Sequence, residues 1–283
     1  MSNKKWVDVI TPLLKWAGGK RQLLDKLGER LPHEWDTYFE PFIGGGALLV
    51  KLHNEHRADK AVISDLNGEL INLYRVVQKK PEQLIEELQD PVFQNDEITF
   101  KQIKADFNEI IGTTKEPVKR AAFLVYLNKH SYNGLWRVNN KGKYNVPFGR
   151  HAKLSLPTET SILKFHAMLE NVTILNKDFA ETVKKAGKND FIYFDPPYHP
   201  ISKTARFTDY NSNGFKFQDQ ERLADLFKKL DKRGVFVMLS NSLNPVIEDL
   251  YREFTIQPVE AKRYINCNGK RRNGIFEIIV TNY

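Results

Sequence analysis

Apolar residues along this chain fall into short runs and helically spaced stretches, in an order that describes an interrupted α/β sheet. Residues 37–42, Thr-Tyr-Phe-Glu-Pro-Phe, predict a short strand running into Ile43-Gly44-Gly45-Gly46, after which Ala47-Leu48-Leu49-Val50 opens a helix. Residues 61–65 predict a second strand with an acid, Asp65, at its tip, and an amphipathic helix follows from Asn67 to Gln78. Between residues 81 and 130 the spacing is helical, broken at Pro81, Pro91, Gly112 and Pro117, and a glycine- and asparagine-rich stretch comes next. Strand-like runs resume at 172–176, 191–195, 235–239, 255–257 and 275–281, separated by helical stretches such as 218–230. A mostly helical block of this kind does not continue a doubly wound sheet, so it reads as an insertion into one. No period suggests repeats, and no tract is of low complexity.

Composition narrows the class. Of 283 residues 41% are hydrophobic, enough for a sizeable core in one large domain or in a domain carrying an insertion. Lys and Arg outnumber Asp and Glu by 43 to 35, and a net charge of +8 suits a polyanionic partner. Cys267 is the single cysteine, which excludes an internal disulfide and a four-cysteine metal site and fits a reducing compartment. No run approaches the roughly 18–20 apolar residues that span a bilayer, and the N-terminus has no signal-peptide apolar core. A membrane partner is not expected, and the cytoplasm is the expected location.

Two segments carry candidate chemistry. Asp195-Pro196-Pro197-Tyr198 follows the apolar run Phe191–Phe194, at a strand tip, where α/β enzymes place their reactions. Two prolines without N–H groups hold one carboxylate, an exposed carbonyl and one aromatic ring in a rigid arc that suits a flat, amine-bearing base. Taken alone, the same residues also read as a turn closing a core strand. The second segment is the glycine turn, where backbone can approach a ligand closely. It lacks the third glycine of a dinucleotide fingerprint, since Leu49 stands three residues after Gly46. Gly18-Gly19-Lys20 lacks the rest of a triphosphate-binding loop. The pattern that fits is Phe42-x-Gly44-x-Gly46 with Asp65 about 20 residues later, where a carboxylate can accept both hydrogen bonds of a ribose diol. His53-Asn-Glu-His56 without cysteines reads as a solvated helix end, and no metal is expected.

In combination these segments resemble the Dam-like family of DNA adenine-N6 methyltransferases, which use S-adenosylmethionine. The resemblance covers nearly the whole chain. It is carried by Lys15-Trp16-Ala17-Gly18-Gly19-Lys20, by Phe39-Glu40-Pro41-Phe42-Ile43-Gly44-Gly45-Gly46-Ala47, by Asp65, by Tyr132-Asn133-Gly134-Leu135-Trp136-Arg137 through Asn145-Val146-Pro147-Phe148-Gly149-Arg150, and by Asp195-Pro196-Pro197-Tyr198. The order of cofactor motif, insertion and D-P-P-Y is similar to the family's alpha group, whose insertion is the target-recognition domain. The resemblance therefore implies a Rossmann-like α/β methyltransferase sheet from residues 1–66 and 171–283, with a mostly helical, hairpin-containing DNA-binding insertion at 67–170.

It also implies roles. Trp16 would offer an aromatic face to the cofactor's adenine, and Lys20 would approach the methionine carboxylate. Gly44 and Gly46, in the turn that begins at Phe42, would give room to the methionine and sulfonium end, with Glu40 close by. Asp65 would take the ribose hydroxyls, and Asp178 would lie near the adenine with Phe179 beside its ring. The structural alternatives are a core tryptophan for Trp16 and a helix cap for Asp178. At D-P-P-Y the requirement is chemical: an adenine amino group is a poor nucleophile because its lone pair is delocalised into the ring. Asp195 accepting one N6 hydrogen and the Pro196 carbonyl accepting the other would localise that pair, while Tyr198 stacks on a base drawn out of the duplex.

Target recognition is expected in residues 132–150, where Tyr132, Trp136 and Tyr144 interleave with Arg137, Lys141, Lys143 and Arg150 around Asn139-Asn140-Lys141-Gly142. The pattern predicts a basic β-hairpin, the alternative being a solvated charged loop. The resemblance implies that Arg137 reads a guanine through O6 and N7, that Leu135 and Pro147 pack near a thymine methyl, and that Tyr132, beside Asn133, wedges into the stack. Asn139, Asn145 and Arg150 would hold phosphates, and Lys15 would reach another guanine. The implied site is adenine in GATC of double-stranded DNA, and a cognate restriction endonuclease is a partner that the resemblance admits. Trp136 is a departure, a large residue where the family varies. Lys203, Arg206 and Lys270-Arg271-Arg272 add late basic groups, and the polar stretch 199–216, with Thr204, Thr208, Asn211 and Asn213, has the character of a loop that closes on a bound base. Rival readings are a cytosine-N4 or RNA methyltransferase, a protein-glutamine methyltransferase, and a non-catalytic DNA-binding module. Asp195 in place of the Asn of N-P-P-Y weighs against the RNA and glutamine enzymes.

Overall fold

Four short runs, Tyr38–Glu40 (β1), Ala61–Ser64 (β2), Phe191–Phe194 (β4) and Phe236–Ser242 (β5), are buried at nearly every position, as parallel strands covered on both faces require. The computed structural model describes residues 9–16, 23–152, 156–198, 214–261 and 275–283. Lys20, Cys267, the polar stretch 199–213 and Lys270-Arg271-Arg272 lie outside the described residues.

The chain divides into two compact units, one made of Met1–Gly19, Gly44–Asp59 and Asp65–Asn176, the other of Lys20–Ile43, Lys60–Ser64 and Lys177–Tyr283. In the second unit the strands run in the order β2-β1-β4-β5-β7-β6, with Thr255–Ala261 as β6 and Ile275–Thr281 as β7. β2, β1, β4 and β5 are parallel, and β7 pairs antiparallel with both β5 and β6. Leu24–Gly28 (α1), Phe179–Thr182 (α8), Phe217–Asp231 (α9) and Pro245–Leu250 (α10) also belong to this unit. Leu223, Phe227 and Leu230 of α9 pack with Phe39, Ile192, Phe194, Val237 and Leu239 in one apolar core.

Two strands run further than their apolar pattern. β5 continues past Leu239 through Ser240, Asn241 and Ser242, all fully paired with β7. β6 continues past Gln257 because Pro258, which reads as a break, is tolerated at the edge of the sheet, where no further strand needs its N–H.

Among the described residues the first unit is mostly helical: Ala47–Asn54 (α2), Gly68–Lys79 (α3), Pro81–Leu88 (α4), Glu97–Ile110 (α5), Pro117–His130 (α6) and Glu159–Leu169 (α7), with the strand Val172–Leu175 (β3). The predicted breaks mark real ends. Pro81 and Pro117 sit in the first turns of α4 and α6, and Gly112, at φ +73°, follows the end of α5. Asn67, Asp96 and Thr158 cap α3, α5 and α7 through side-chain oxygens. Phe100, Ile103 and Phe107 of α5 pack with Phe123, Tyr126 and Leu127 of α6, and this core also takes in Tyr144 and Val146. Among the described residues no helix is long and apolar enough to cross a membrane.

Candidate active site

In the first unit the glycine turn is held from several sides. Gly44 and Gly46 have φ of +47° and +68°, which residues with side chains rarely adopt, and Gly46 is the N-cap of α2. Asp65, at the tip of β2, accepts the Gly44 N–H at 3.2 Å on Oδ2 and the Asn67 N–H at 2.9 Å on Oδ1. Burial raises its carboxyl above the ordinary range, against the pull of these backbone N–H groups. Tyr74 donates to the Gly44 carbonyl at 3.0 Å. Leu66, next to Asp65, is 69% exposed, an apolar side chain beside a candidate nucleoside site. Trp16 lies on the turn: a Cβ on Gly44 would stand 3.0 Å from its Cδ1, and one on Gly45 3.0 Å from its Cβ. Trp16 is half-buried and stacks on Trp136, with ring centroids 6.2 Å apart and 22° between planes.

Asn128, buried on α6, ties the segment carrying Lys15 and Trp16 to the turn at 132–134. Its amide accepts from Lys15 N–H at 3.0 Å and donates to the carbonyls of Lys15 and Gly134 at 2.7 and 2.9 Å. All its bonding groups but one lone pair are thereby engaged, which makes it a rigid clamp. Gly134, at φ +63°, leaves the space that the Lys15 side chain fills. Nothing in the pattern around Asn128 marked it beforehand, because its partners, Lys15 and Gly134, lie outside α6.

The segment 131–149 folds back on itself, but as isolated antiparallel bridges, Ser131 with Phe148 and Val138 with Tyr144, not as the regular hairpin its sequence predicts. A 3-10 turn at Tyr132–Gly134, left-handed Asn133 and Pro147 without an N–H interrupt the ladder. Tyr132 donates its N–H to the Pro147 carbonyl at 2.9 Å while its ring is half exposed. Leu135 is partly buried against the helical core, whereas Pro147 is exposed. Arg137 and Asn145, predicted to have separate tasks, are bonded to each other: the guanidinium donates to Asn145 Oδ1 at 2.7 Å and to the Asn145 carbonyl at 3.1 Å. Asn139 Oδ1 takes the N–H groups of Lys141 and Lys143 and so shapes the tip. Arg150 is exposed, left-handed, and 3.7 Å from Glu97. Lys143 reaches the Asn108 carbonyl, and burial pushes the Tyr144 phenol up to about 12.

His130 supports this segment from the end of α6. It stacks on Tyr126 at 4.0 Å, its Nδ1 is 2.8 Å from the Tyr126 carbonyl, and its own carbonyl accepts the Gly149 N–H. Burial lowers its pKa below the ordinary 6.5. In the unfolded chain the imidazole protonates near that ordinary value, and in the folded chain only at lower pH. Stability therefore falls as pH drops below about 6.5 and levels off once pH passes the folded value. Thermal midpoints measured between pH 7.5 and 5 should decline, and His130→Gln should decline less over the same range.

In the second unit D-P-P-Y leaves the C-terminal end of β4. Asp195 is half-buried and Oδ1 accepts from Ser240 Oγ at 2.9 Å; the Pro197 carbonyl accepts from Gln220 Nε2 at 3.0 Å; Tyr198 donates to Glu277 Oε2 at 2.6 Å. Burial and the neighbouring charge of Asp195 raise the Tyr198 phenol well above its usual value, so it remains a hydroxyl donor. Glu40, 3% exposed at the end of β1, accepts from Tyr38 at 2.9 Å. Phe42 stacks on Phe179 at 5.5 Å. Asp178 caps α8 through the Ala180 N–H and pairs with Arg222 at 2.6 Å, while that guanidinium lies 4.4 Å from the Phe179 ring centre. The helix-cap alternative for Asp178 is thus realised, together with an ion pair that sequence reading did not anticipate. Among the described residues no cluster of three or more His, Cys, Asp or Glu could hold a metal ion.

The family described as D12 class N6 adenine-specific DNA methyltransferase matches residues 16–265. The chain belongs to this family. The enzyme is 44% identical over 276 residues to the type II methyltransferase M1.LlaDCHI of Lactococcus lactis subsp. cremoris, covering 97% of this chain and 96% of that one. It is 43% identical to the type II methyltransferase M.MjaIII of Methanocaldococcus jannaschii (97% and 99% covered) and 36% identical to the DNA adenine methylase of Serratia marcescens (94% and 96%). The methyltransferase is thus an adenine-specific DNA-modifying enzyme with a mixed α/β sheet.

Proposed function

We propose that this enzyme transfers the methyl group of S-adenosylmethionine to N6 of adenine within GATC of double-stranded DNA, directly, on a base turned out of the duplex. The observation that carries the reading is the D-P-P-Y turn, a carboxylate, a rigid carbonyl arc and a phenol set at a strand tip and each tethered to a polar neighbour. Bound S-adenosylmethionine supplies an electrophilic methyl carbon on sulfur. Asp195 and the Pro196 carbonyl accept the two N6 hydrogens and draw the lone pair out of the ring. As the N6–carbon bond replaced the methyl–sulfur bond, the electron pair of the latter would stay on sulfur, and the surplus N6 proton, hydrogen-bonded to Asp195 or the Pro196 carbonyl, would pass to water. Tyr198 supplies the stacking face.

Cofactor binding is assigned to Trp16, Lys20, Glu40, Phe42, Gly44, Gly46, Asp65, Asp178, Phe179 and Asp195. The fit rests on the donor set: a half-buried carboxyl beside a glycine turn suits a ribose diol. Residues 67–170 are assigned to target recognition, with Lys15, Tyr132, Asn133, Leu135, Arg137, Asn139, Asn145, Pro147 and Arg150 on DNA. The type II names of two relatives support a role beside a cognate restriction endonuclease. Arg137→Ala should relax sequence choice by about 1–3 kcal/mol at a single base pair, read as the ratio of transfer rates on duplexes altered at each position.

The test of the reading is methyl transfer from labelled S-adenosylmethionine to duplexes that differ only in GATC against GTTC, followed by mass spectrometry of the digested nucleosides. N6-methyladenine from the first duplex alone is the expected result. Label on both would remove the GATC assignment, and label on neither would remove the substrate.

A further inference from the structure

β5 ends in three polar residues, Ser240, Asn241 and Ser242, each at most 1% exposed. Hydroxyls and amides gain nothing in a strand interior unless they are bonded, so a run of three implies dedicated partners. The partners of Ser240 and Asn241 lead to the D-P-P-Y turn, while Ser242 accepts from Asn244 at 3.0 Å. Ser240 has a single hydroxyl proton and gives it to Asp195 Oδ1, so the 2.8 Å contact between Ser240 Oγ and Tyr193 OH is one in which the tyrosine donates. The result is a directed chain, Tyr193 to Ser240 to Asp195, whose first two members are buried. Asn241, on the same strand, donates to Gln220 Oε1 at 3.0 Å, which orients that amide so that its nitrogen holds the Pro197 carbonyl.

We infer that Ser240, with Tyr193 behind it and the Asn241–Gln220 pair beside it, positions the reacting turn for methyl transfer. The inference rests on the assignment of Asp195 as the group that polarises N6. An aspartate's terminal torsion is broad, and a carboxylate required to face one amine hydrogen needs a partner to fix it. The register of β4 on β5, in which Phe194 stands opposite Leu239, brings the next residue on each strand, Asp195 and Ser240, together. A hydrogen bond given to the carboxylate also favours its charged form. Tyr38 of β1, Tyr193 of β4 and Tyr198 of the turn lie within electrostatic reach of Asp195, Glu40 of β1 and Glu277 of β7 act on the same tyrosines, and α9 presents the neutral Gln220.

Single-turnover transfer by Ser240→Ala, Tyr193→Phe, their double variant and Asp195→Ala, with cofactor and duplex affinities measured alongside, tests the idea. Ser240→Ala should slow transfer by about ten- to hundredfold, with both affinities unchanged and the acid limb of the pH profile moved upward. Ser240→Thr, which restores the hydroxyl, should recover most of the rate. Tyr193→Phe should slow transfer less than Ser240→Ala and add nothing in the double variant. It removes one hydroxyl only, so it also keeps the test alive if Ser240→Ala does not fold. Near-normal transfer by Ser240→Ala, or additive losses in the double variant, would overturn the inference while leaving a dead Asp195→Ala intact. An active Asp195→Ala would instead remove the assignment beneath it.

Discussion

Replacing Asp195 with alanine should lower the single-turnover rate of methyl transfer by about a thousandfold or more, equivalent to ~4 kcal/mol of transition-state stabilisation, while the other residues assigned to the cofactor still hold labelled S-adenosylmethionine, more weakly by the one contact removed. The size follows from the difficulty of the substrate. An exocyclic amine conjugated with its ring has no free lone pair, and Asp195 meets the positive charge that grows on nitrogen only as the methyl carbon approaches. Such an interaction is stronger in the transition state than in the ground state, so its loss should appear in the rate rather than in affinity. Asp195→Asn separates two contributions. The amide keeps an acceptor oxygen but loses the charge, and an intermediate rate would show that charge and hydrogen bond both act. Turnover within a fewfold of wild type in Asp195→Ala would sink the nitrogen-polarising role.

The largest loss of stability should come from a pair to which no step of the chemistry is assigned. Glu69 of α3 and Arg120 of α6 are 5% and 7% exposed and form two bonds of 3.0 Å, Nε to Oε2 and Nη2 to Oε1. Glu69 also accepts the Gly112 N–H at 2.8 Å, and Arg120 reaches the Thr113 carbonyl, so the pair fastens the connection between α5 and α6 as well as two helices. Glu69→Ala leaves a guanidinium buried without its counter-charge, which should cost about 3–5 kcal/mol in urea unfolding. Replacing both residues, as Glu69→Leu with Arg120→Met, should cost much less, because no charge is then stranded. Equal losses in the single and double variants would show that packing, not the buried charge, sets the penalty.

Much of the architecture was legible from residue order. The apolar run at 191–194, the glycine turn before α2, and the prolines opening α4 and α6 each act through local sterics or burial, and each falls where expected. Reading failed where a long-range partner overrides a local signal. Pro258 reads as a stop but lies within β6, because an edge strand does not need its N–H. Ser240 to Ser242 read as the end of an apolar strand, yet β7 pairs with all three. Residues 132–150 carry hairpin chemistry, but Asn133, Gly134 and Pro147 leave only single bridges.

The candidate site divides along the same line. Asp195, Asp65 and the glycines announce themselves because their chemistry resides in a contiguous motif whose backbone geometry is set by prolines and glycines. Ser240, Gln220, Glu277 and Asn128 do not. Each bonds to a residue between 6 and 113 positions away, and hydrophobic periodicity reports which face of an element is buried without naming the polar partner it meets there. Residue order and composition suffice for an α/β enzyme of the adenine-methylating family and for a candidate reacting turn at a strand tip. Which side chains hold that turn emerges from the packed fold, because strand register and helix placement, not local composition, choose the partner of a buried hydrogen bond.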